Sequence, residues 1–525
     1  MRTCSNFLTV AELGFWEVAQ RHPENLALVD PDGTEMTAGE LFAESNKLVH
    51  GLRALGVKQG DAVAAVLPNS TPLIELYLAC MQSGLYLVPI NHHLAAPEIA
   101  YILEDSEAKA LFTSEEFGEV STKAVDDASL PKEARFVDGK LDGFRPYAEI
   151  KEGQPGTLPE DRATGAVMNY TAGTTGRPKG VRRAVPQIDP DTAAELYTLF
   201  FVLFGIEPYN DNVHVVVSPL YHTAVMTFSM TSLHAGHAVV LMKKWDEEET
   251  LRLIDRYKVT NTHMVPTQFR RLLDLPREVK DKYDVSSLRQ VVHSAAPCPV
   301  DVKERMLDWW GPVIYEYYAA TEGGGTLATP EEWLKKPGTV GKPWPMSEIR
   351  VLDDDGQPMP TGEAGTVWIK MGDYTFEYNK DKAKTEESWK EGFFTVGDVG
   401  YLDEDDYLFL CDRKADMIIS GGVNIYPAEV EAELVGHPKV DDVAVIGIPN
   451  DQWGEEVKAV VKPTPGNEPG PALEQELIEF CRERIAHFKC PRSVDFVTEL
   501  PRDPNGKLYK RKVRDPYWQG RTSAI

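Results

Sequence analysis

The residues with the clearest chemical pattern lie at 170–181, and they read Tyr-Thr-Ala-Gly-Thr-Thr-Gly-Arg-Pro-Lys-Gly-Val. Three glycines allow backbone conformations closed to other residues, so that several amide N–H groups can point at one anion: Gly173, Gly176 and Gly180. Three threonines add hydroxyl donors: Thr171, Thr174 and Thr175. Lys179 adds a positive charge. This phosphate loop, as we call residues 170–181, is therefore predicted to bind phosphate.

The phosphate loop follows a short apolar run at 166–168, which predicts a buried strand. Open α/β sheets bind ligands at the carboxyl ends of their strands, where this loop would lie. In a P-loop the Gly-Lys pair is followed by Ser or Thr, whereas Lys179 stands between Pro178 and Gly180. The sequence therefore indicates a nucleotide site of another kind.

The elements around this loop alternate between apolar strand patterns and helical patterns. Strands are predicted at 63–67, 87–90, 110–112, 213–217, 238–241 and 290–292. Helices are predicted at 37–55, 73–84 and 96–103. This alternation predicts parallel sheets covered by helices.

The pattern changes twice towards the carboxy terminus. After Gly338 come shorter strands at 348–352 and 365–370 with Gly, Pro and Asp turns, which predict a small antiparallel or barrel-like unit. After residues 412–416 come a helix at 427–435, strands at 443–448 and 457–461, and a further helix ending near residue 486. These last elements predict a small α+β domain of about 110 residues, long enough to fold alone.

The composition narrows the class of protein. The chain has 525 residues, 42% of them apolar, which suits two or more domains with buried cores. Its 82 acidic and 55 basic side chains give a formal charge of -27, which argues against nucleic acid as a partner. The six cysteines form no CxxC pair, and no apolar run approaches the ~18–20 residues of a membrane span. We expect a cytoplasmic protein without a transmembrane segment.

The phosphate loop resembles the signature of the acyl-adenylate-forming superfamily of AMP-dependent synthetases and ligases, and the pattern is most similar to that of fatty acyl-CoA synthetases. These enzymes join a carboxylate to the α-phosphate of ATP. The resemblance implies that the glycines and threonines of the loop bind ATP and that Lys179 takes part in catalysis.

Residues 294–299, Ser-Ala-Ala-Pro-Cys-Pro, resemble the loop that lies beside the adenine in this superfamily. The small residues would let the backbone approach the purine. The resemblance implies that Ala295, Ala296 and Pro297 contact ATP.

Residues 318–322, Tyr-Ala-Ala-Thr-Glu, resemble the superfamily's Tyr-Gly-x-Thr-Glu motif. This implies adenine stacking by Tyr318, a phosphate contact by Thr321 and a magnesium ligand in Glu322, since a carboxylate suits a hard divalent ion. Two residues depart from the usual pattern: Ala319 stands in place of glycine, and Tyr317 stands where many relatives have a small residue. Either side chain could narrow an acyl tunnel.

Three more residues complete the nucleotide site by resemblance. Asp398, in Thr-Val-Gly-Asp, and Arg413, in Asp-Arg, match the positions that contact the ribose. Lys507, in Pro-Asn-Gly-Lys, matches the lysine that enters the site during adenylation, where a mobile cation on an Asn-Gly turn can bridge carboxylate and α-phosphate.

Residues 417–427 resemble the loop that lines the thiol tunnel after the carboxy-terminal domain rotates. The resemblance implies contacts to coenzyme A from four residues: Ser420, Gly421, Gly422 and Asn424. The superfamily's hinge carries Asp or Lys where this chain has Ala415. The hinge is therefore expected near Ala415 from its position in the chain, although the side chain usual at the hinge is not present.

The resemblance implies an α/β fold with a large amino-terminal domain, 1–414, and a small mobile α+β carboxy-terminal domain, 415–525. The large domain is expected to contain two helix-flanked sheets and a β-barrel-like part, and to bind AMP and the acyl group. The implied substrates are ATP with Mg²⁺, a carboxylic acid and coenzyme A.

The acid is predicted to be hydrophobic. Members that activate amino acids hold the ammonium with an aspartate in the region that reads Ser-Pro-Leu-Tyr-His-Thr-Ala-Val at 218–225, and no aspartate is present there. His222 matches a position that contacts the carboxylate or gates the tunnel. The apolar stretches 196–204 and 221–230 favour a medium- or long-chain fatty acid, with aromatic and sterol-derived acids left open.

Three alternatives to an acyl-CoA synthetase remain at this point. An acyl-carrier protein uses the same pantetheine arm as coenzyme A and would make the protein a fatty acyl-AMP/carrier ligase. A nucleotide-binding protein without turnover would be expected to lack Lys179, Glu322 or Lys507, and all three are present. A luciferase-like oxygenase would form the same adenylate and then use O₂.

Overall fold

The computed structural model describes residues 13–171, 178–209, 211–420, 423–450, 452–502 and 508–519. The α-helices of these residues are, in chain order, α1 (Phe15–Arg21), α2 (Ala38–Ala54), α3 (Thr71–Ser83), α4 (Ala96–Ser106), α5 (Gly118–Asp127), α6 (Pro190–Val202), α7 (Thr223–His234), α8 (Glu247–Tyr257), α9 (Pro266–Leu273), α10 (Arg277–Lys280), α11 (Val300–Trp310), α12 (Pro330–Lys335), α13 (Lys382–Ser388), α14 (Pro427–Val435), α15 (Pro471–Arg482) and α16 (Lys510–Arg514). None of the helices in this part of the chain is both long and apolar enough to cross a membrane.

The strands of the described residues are, in chain order, β1 (Leu26–Val29), β2 (Glu35–Thr37), β3 (Ala62–Val66), β4 (Tyr86–Pro89), β5 (Ala110–Ser114), β6 (Arg135–Asp138), β7 (Arg145–Pro146), β8 (Ala166–Val167), β9 (Asn169–Thr171), β10 (Lys179–Arg183), β11 (Val213–Val216), β12 (Ala238–Leu241), β13 (Asn261–Met264), β14 (Gln290–His293), β15 (Ile314–Ala320), β16 (Gly323–Ala328), β17 (Lys342–Pro343), β18 (Ser347–Leu352), β19 (Gly365–Met371), β20 (Phe376–Tyr378), β21 (Trp389–Lys390), β22 (Phe393–Phe394), β23 (Asp398–Leu402), β24 (Leu408–Arg413), β25 (Ile418–Ser420), β26 (Val423–Ile425), β27 (Val440–Asn450), β28 (Gly454–Pro463) and β29 (Ser493–Phe496).

Two large sheets form most of the amino-terminal part. One has six parallel strands in the order β7-β6-β5-β3-β4-β8. The other has nine strands in the order β17-β16-β15-β14-β13-β11-β12-β1-β2, parallel in its centre and antiparallel at both edges. Central parallel strands are covered on both faces, and every residue of β3 is buried. The predicted pair of helix-flanked sheets is confirmed.

Local sequence signals explain how individual helices begin and end. Thr37 caps α2, because its hydroxyl accepts from the Glu40 amide at 3.2 Å while the Glu40 carboxylate accepts from the Thr37 amide at 2.8 Å. Helix α3 ends at Gly84, whose φ of 74° lies in the left-handed region that glycine adopts at no steric cost. These signals set the lengths of the helices that cover the sheets.

The two large sheets share one apolar cluster. It contains Val63 of β3 and Val239 of β12, together with Met230 of α7. All three side chains are at most 1% exposed. Because such cores are close-packed, the shared cluster holds the strand ends of both sheets in a fixed relation.

Smaller antiparallel sheets complete the amino-terminal part. A six-stranded sheet has the order β21-β22-β19-β23-β24, with β18 paired to β19, and it corresponds to the barrel-like part. A three-stranded sheet has the order β20-β10-β9. Both contribute to the site, since β9 and β10 flank the phosphate loop and β23 and β24 carry the predicted ribose residues.

The carboxy-terminal part is an α+β unit. Its sheet has the order β26-β25-β28-β27, with β29 parallel to β28, and it packs against α14 and α15. A separate apolar cluster lies inside it, with Ile418, Val445 and Leu477 fully buried. A separate hydrophobic core is a property of a domain that can fold as a unit. The division at 414/415 stays a prediction.

Candidate active site

A single cleft of about 2270 Å³ brings together most of the described residues that the sequence singled out. The predicted nucleotide-binding residues that line this cleft are Thr171, Lys179, Ala295, Ala296, Pro297, Tyr318, Thr321, Glu322, Asp398 and Arg413. From the predicted acyl site it is lined by His222 and by residues of both apolar stretches. The candidate site is therefore continuous from the nucleotide end to the acyl end.

The phosphate loop connects two paired strands. β9 and β10 are antiparallel, with Thr171 opposite Lys179. A Cβ at Gly180 would lie 2.9 Å from a ring atom of Tyr170, so a larger residue at this position would require that ring to move. Four predicted phosphate-binding residues lie outside the described residues: Gly173, Thr174, Thr175 and Gly176.

Lys179 forms an ion pair that the sequence pattern did not indicate. Its Nζ lies 2.9 Å from Oδ2 of Asp381. The same carboxylate accepts a hydrogen bond from the Lys384 amide at the start of α13, at 3.0 Å. The hydrogen bond from Lys179 is the main reason that the pKa of Asp381 lies below its usual value. Residue 381 is a recognisable helix cap, but its pairing across 202 residues has no local signal.

Glu322 lies just after β15 and is 6% exposed. The hydroxyl of Tyr378 donates a hydrogen bond of 2.8 Å to its Oε1. This bond orients the carboxylate, and among the residues that the structure describes only Tyr378 hydrogen-bonds to it. Mg²⁺ is commonly bound by one or two carboxylates plus substrate phosphates, so this arrangement fits the ion of MgATP.

The neighbouring Thr321 is held from two sides. Its hydroxyl lies 3.3 Å from that of Thr223, the first residue of α7. Its backbone carbonyl accepts a hydrogen bond from Nη2 of Arg183, the last residue of β10. The guanidinium of Arg183 also lies 5.8 Å from the ring centroid of Tyr374. Arg183 thus links the phosphate-loop strand to the Thr-Glu motif.

The predicted ribose residues are neighbours in the structure. Asp398 and Arg413 face each other on β23 and β24, and Nε of Arg413 lies 3.3 Å from Oδ1 of Asp398. The hydroxyl of Tyr318 donates to the other oxygen of Asp398 at 2.7 Å. Burial, followed by the charge of Asp398, raises the pKa of Tyr318 well above its usual value, so this hydroxyl remains a donor.

The predicted adenine-side residues follow the carboxyl end of β14 and line the cleft. Ala295 has a φ of 74°, in the left-handed region that is costly for a residue with a side chain. Such backbone outliers concentrate at functional sites.

A buried ion pair lies beneath the Tyr-x-x-Thr-Glu segment. Nζ of Lys303 in α11 lies 2.8 Å from Oε2 of Glu316 in β15, and the side chains are 0% and 8% exposed. Burial is the largest influence on both groups, lowering the pKa of Lys303 and raising that of Glu316. The ammonium also lies 4.6 Å from the ring centroid of Trp333. The pair fixes the start of β15 against α11, and the sequence pattern had not indicated it.

Aromatic side chains line the acyl end of the cleft. His222 precedes α7, and its ring centroid is 4.4 Å from that of Tyr221. Further along the cleft, the rings of Phe200 and Trp344 lie 6.5 and 6.4 Å from that of Tyr317, measured between centroids. Tyr317 itself is 7% exposed and lines the cleft beside these rings.

The carboxy-terminal part contributes residues to the cleft, but its two described residues from the predicted thiol loop do not line it. Arg502 and Leu508, on either side of 503–507, line it, whereas Lys507 itself lies outside the described residues. Of the predicted thiol loop, Ser420 and Asn424 lie on β25 and β26 and are not among the cleft-lining residues described. Gly421 and Gly422 lie outside the described residues.

Comparison with known proteins identifies the family. Residues 15–377 match the AMP-binding enzyme family, and residues 429–507 match the AMP-binding enzyme C-terminal domain. The chain is similar to the feruloyl-CoA synthase of an Amycolatopsis species, with 34% identity over 96% of this chain and 98% of that protein. It is also similar to the long-chain-fatty-acid–CoA ligase FadD13 of Mycobacterium tuberculosis, with 32% identity over 96% and 98%.

Among solved structures, the anthranilate CoA ligase AuaEII in complex with anthranoyl-AMP has a TM-score of 0.85 at 27% identity. The match covers 97% of this chain and 99% of that one. The protein therefore belongs to the AMP-binding enzymes, the acyl-adenylate-forming superfamily. Within it, the chain is an AMP-forming acid–thiol ligase.

Proposed function

We propose that this protein activates a hydrophobic carboxylic acid with MgATP to an acyl-adenylate and then transfers the acyl group to the thiol of coenzyme A. The observation that supports this most directly is the single cleft, which joins the nucleotide residues to an apolar chamber past His222. A carboxylate bound beside His222 would lie between the two.

The adenylation step is assigned to residues that surround the phosphates. The carboxylate attacks the α-phosphorus and pyrophosphate leaves, so positive charge is needed on both the entering and the leaving side. Lys179 and Thr171 are proposed to hold the leaving phosphates, and Glu322 to hold Mg²⁺ against them. Lys507 is proposed to bridge the carboxylate and the α-phosphate, since its neighbours Arg502 and Leu508 face the cleft.

The thioester step is proposed to follow a rotation of residues 415–525 about a hinge near Ala415. In the arrangement described here the flanks of Lys507 line the cleft, while Ser420 and Asn424 do not. That arrangement suits adenylation. The thiol-tunnel role of residues 420–424 requires the other orientation.

Coenzyme A is favoured over an acyl-carrier protein as the thiol donor. Carrier proteins are acidic, and this chain has a formal charge of -27, so the long-range electrostatic interaction opposes docking. The basic run at 507–514 is a local exception. The cysteines of the described residues are unpaired, which is consistent with the reducing cytoplasm, where we propose that the reaction takes place.

For the acid, we favour an aromatic carboxylic acid over a fatty acid. The rings of Phe200, Tyr317 and Trp344 line the cleft and lie 6.0 to 6.5 Å apart between centroids. A further aromatic ring can pack edge-to-face or offset-stacked against such rings. A medium- or long-chain fatty acid is the second candidate. It is supported by Leu196 and Leu199 of α6, which line the cleft and remain 52% and 47% exposed, so that an alkyl chain could cover them.

The decisive experiment is a panel of acids assayed for AMP release with coenzyme A present. The panel holds aryl acids and C8 to C16 alkyl acids, each with coenzyme A or with a pantetheinylated carrier protein. CoA-dependent AMP release and acyl-CoA formation with at least one acid would support the proposal. Acyl transfer to the carrier alone, or absence of AMP release with every acid, would refute it.

A further inference from the structure

A polar group lies among the aromatic rings at the acyl end of the cleft. It consists of Tyr317 in β15, Ser294 after β14 and His263 in β13, and all three line the cleft. The ring of Tyr317 lies 5.9 Å from that of Phe228 and 6.0 Å from that of His263, between centroids. Apolar chambers that bind specific ligands usually contain a few fixed polar groups of this kind, which set the orientation of the ligand.

Tyr317 is the residue of this group that departs from the family pattern. Burial raises its pKa to about 12, with the Ser294 side chain acting in the opposite direction through a hydrogen bond. The hydroxyl is therefore protonated at neutral pH and can donate a hydrogen bond. Because the ring is 7% exposed and held by its aromatic neighbours, the hydroxyl has a fixed place.

His263 continues the group behind Ser294. Its Nε2 lies 2.9 Å from Oγ of Ser294. Burial lowers the pKa of His263 to about 3, so the ring is neutral. Its Nδ1 is buried and has no hydrogen-bond partner among the described residues. A neutral imidazole has one nitrogen that donates and one that accepts. His263 can therefore either donate to the Ser294 hydroxyl or accept from it.

We propose that the acid is an aryl carboxylic acid with a hydrogen-bonding substituent, such as a hydroxyl, on the end of the ring remote from the carboxylate. The substituent bonds to the Tyr317 hydroxyl, and the Tyr317 ring sets the depth of the chamber. This inference rests on the proposed acid–thiol ligase activity. The Tyr317 hydroxyl already shares a hydrogen bond with Ser294, and an unbranched alkyl chain in the same place would leave its remaining hydrogen-bonding capacity unused.

The test compares three acids of one shape: 3-phenylpropenoic acid and its 4-hydroxy and 4-methyl derivatives, with octanoic and dodecanoic acids alongside. We expect the wild-type kcat/KM for the 4-hydroxy acid to exceed that for the 4-methyl acid by about 10-fold or more. Tyr317→Phe keeps the ring and removes the hydroxyl, and it is expected to abolish that preference while retaining turnover of the 4-methyl acid.

Two further variants separate size from hydrogen bonding. Tyr317→Ala is expected to raise turnover of dodecanoic acid, because it deepens the chamber. Tyr315→Phe is the matched control, since this tyrosine lies two residues earlier on β15 and does not line the cleft. It is expected to leave the ratios among the acids unchanged. Folding of each variant is checked by its thermal midpoint and by its KM for ATP.

The outcomes distinguish this inference from the activity itself. If alkyl acids are turned over with coenzyme A but the aryl acids are not, or if Tyr317→Phe keeps the full preference for the 4-hydroxy acid, the inference is wrong and the ligase activity stands. If no acid of the panel supports CoA-dependent AMP release, the proposed function fails first. Loss of the preference in Tyr317→Phe, with the control unchanged, supports the inference.

Discussion

Tyr378→Phe gives a sharp test of the magnesium role proposed for Glu322. The substitution removes the hydroxyl that donates to Glu322 Oε1 at 2.8 Å. It keeps the ring that packs 5.3 Å from Phe376 and 5.7 Å from the Lys179 ammonium. The carboxylate is 6% exposed, so water cannot readily replace the lost donor.

The expected size of the effect follows from the cost of an unmade hydrogen bond. Leaving a buried polar group without its partner costs about 1–3 kcal/mol, which corresponds to about 5–150-fold in an equilibrium or rate constant. Because the bond orients the carboxylate towards the metal, we expect the apparent KM for Mg²⁺ to rise by this factor at saturating ATP and acid. The fold should remain intact, since the ring stays in place.

The assay is AMP release over a titration of Mg²⁺, with Tyr407→Phe as the matched control. Tyr407 also directs its hydroxyl at a glutamate, Glu332, but at 3.4 Å and outside the Thr-Glu motif. The proposed magnesium role of Glu322 is refuted if the two variants show the same magnesium dependence. It is also refuted if Tyr378→Phe lowers kcat with no change in the magnesium requirement.

Three other outcomes follow from the structure and the sequence. Lys507→Ala should slow adenylation by about 10²–10³-fold and largely spare thioester formation from preformed acyl-adenylate, and equal loss in both half-reactions would contradict its proposed role. Lys303→Met should lower the free energy of unfolding by about 3–5 kcal/mol because it leaves Glu316 buried and unpaired, and the double variant with Glu316→Leu should recover much of the urea midpoint. Stability should fall as the pH drops from 6.5 towards 4, because burial holds the folded-state pKa of several histidines at about 3 to 4, so that the unfolded chain binds more protons in that window. The slope is at most about 1.4 kcal/mol per pH unit per histidine, and urea midpoints at pH 7.5 and 5.5 measure it. The histidines are His214, His234, His237 and His263.

The sequence predicted best the elements whose signals are local. β12 has the bounds predicted from an apolar run, and α14 has the predicted bounds 427–435. Glycine residues make other strands hard to predict from the sequence. β16 begins Gly-Gly-Gly, which lowers strand propensity. The structure shows why glycine is needed there, since a Cβ on Gly325 would lie 2.1 Å from the Tyr318 carbonyl oxygen.

The motif residues were predicted by resemblance, and the cleft brings together the described residues of the nucleotide site and the acyl site, but not Ser420 and Asn424. Their partners were not predicted. Tyr378 reaches Glu322 across 56 residues, and Asp381 reaches Lys179 across 202. Such contacts depend on how β10 and β20 pair, and no local pattern in the chain encodes that pairing. Strand β1 of the nine-stranded sheet is a similar case, since it pairs with β12 some two hundred residues later.

The ion pair between Lys179 and Asp381 has a consequence for how ATP binding responds to salt. A phosphate that reaches Lys179 competes with the Asp381 carboxylate that already neutralises it, so we expect binding to exchange much of one anion's contact for the other's. Added salt weakens both the contact that is lost and the contact that is gained. The ATP affinity of this enzyme should therefore vary less steeply with ionic strength than its number of phosphate-binding cations implies, and Asp381→Asn should restore the steeper dependence.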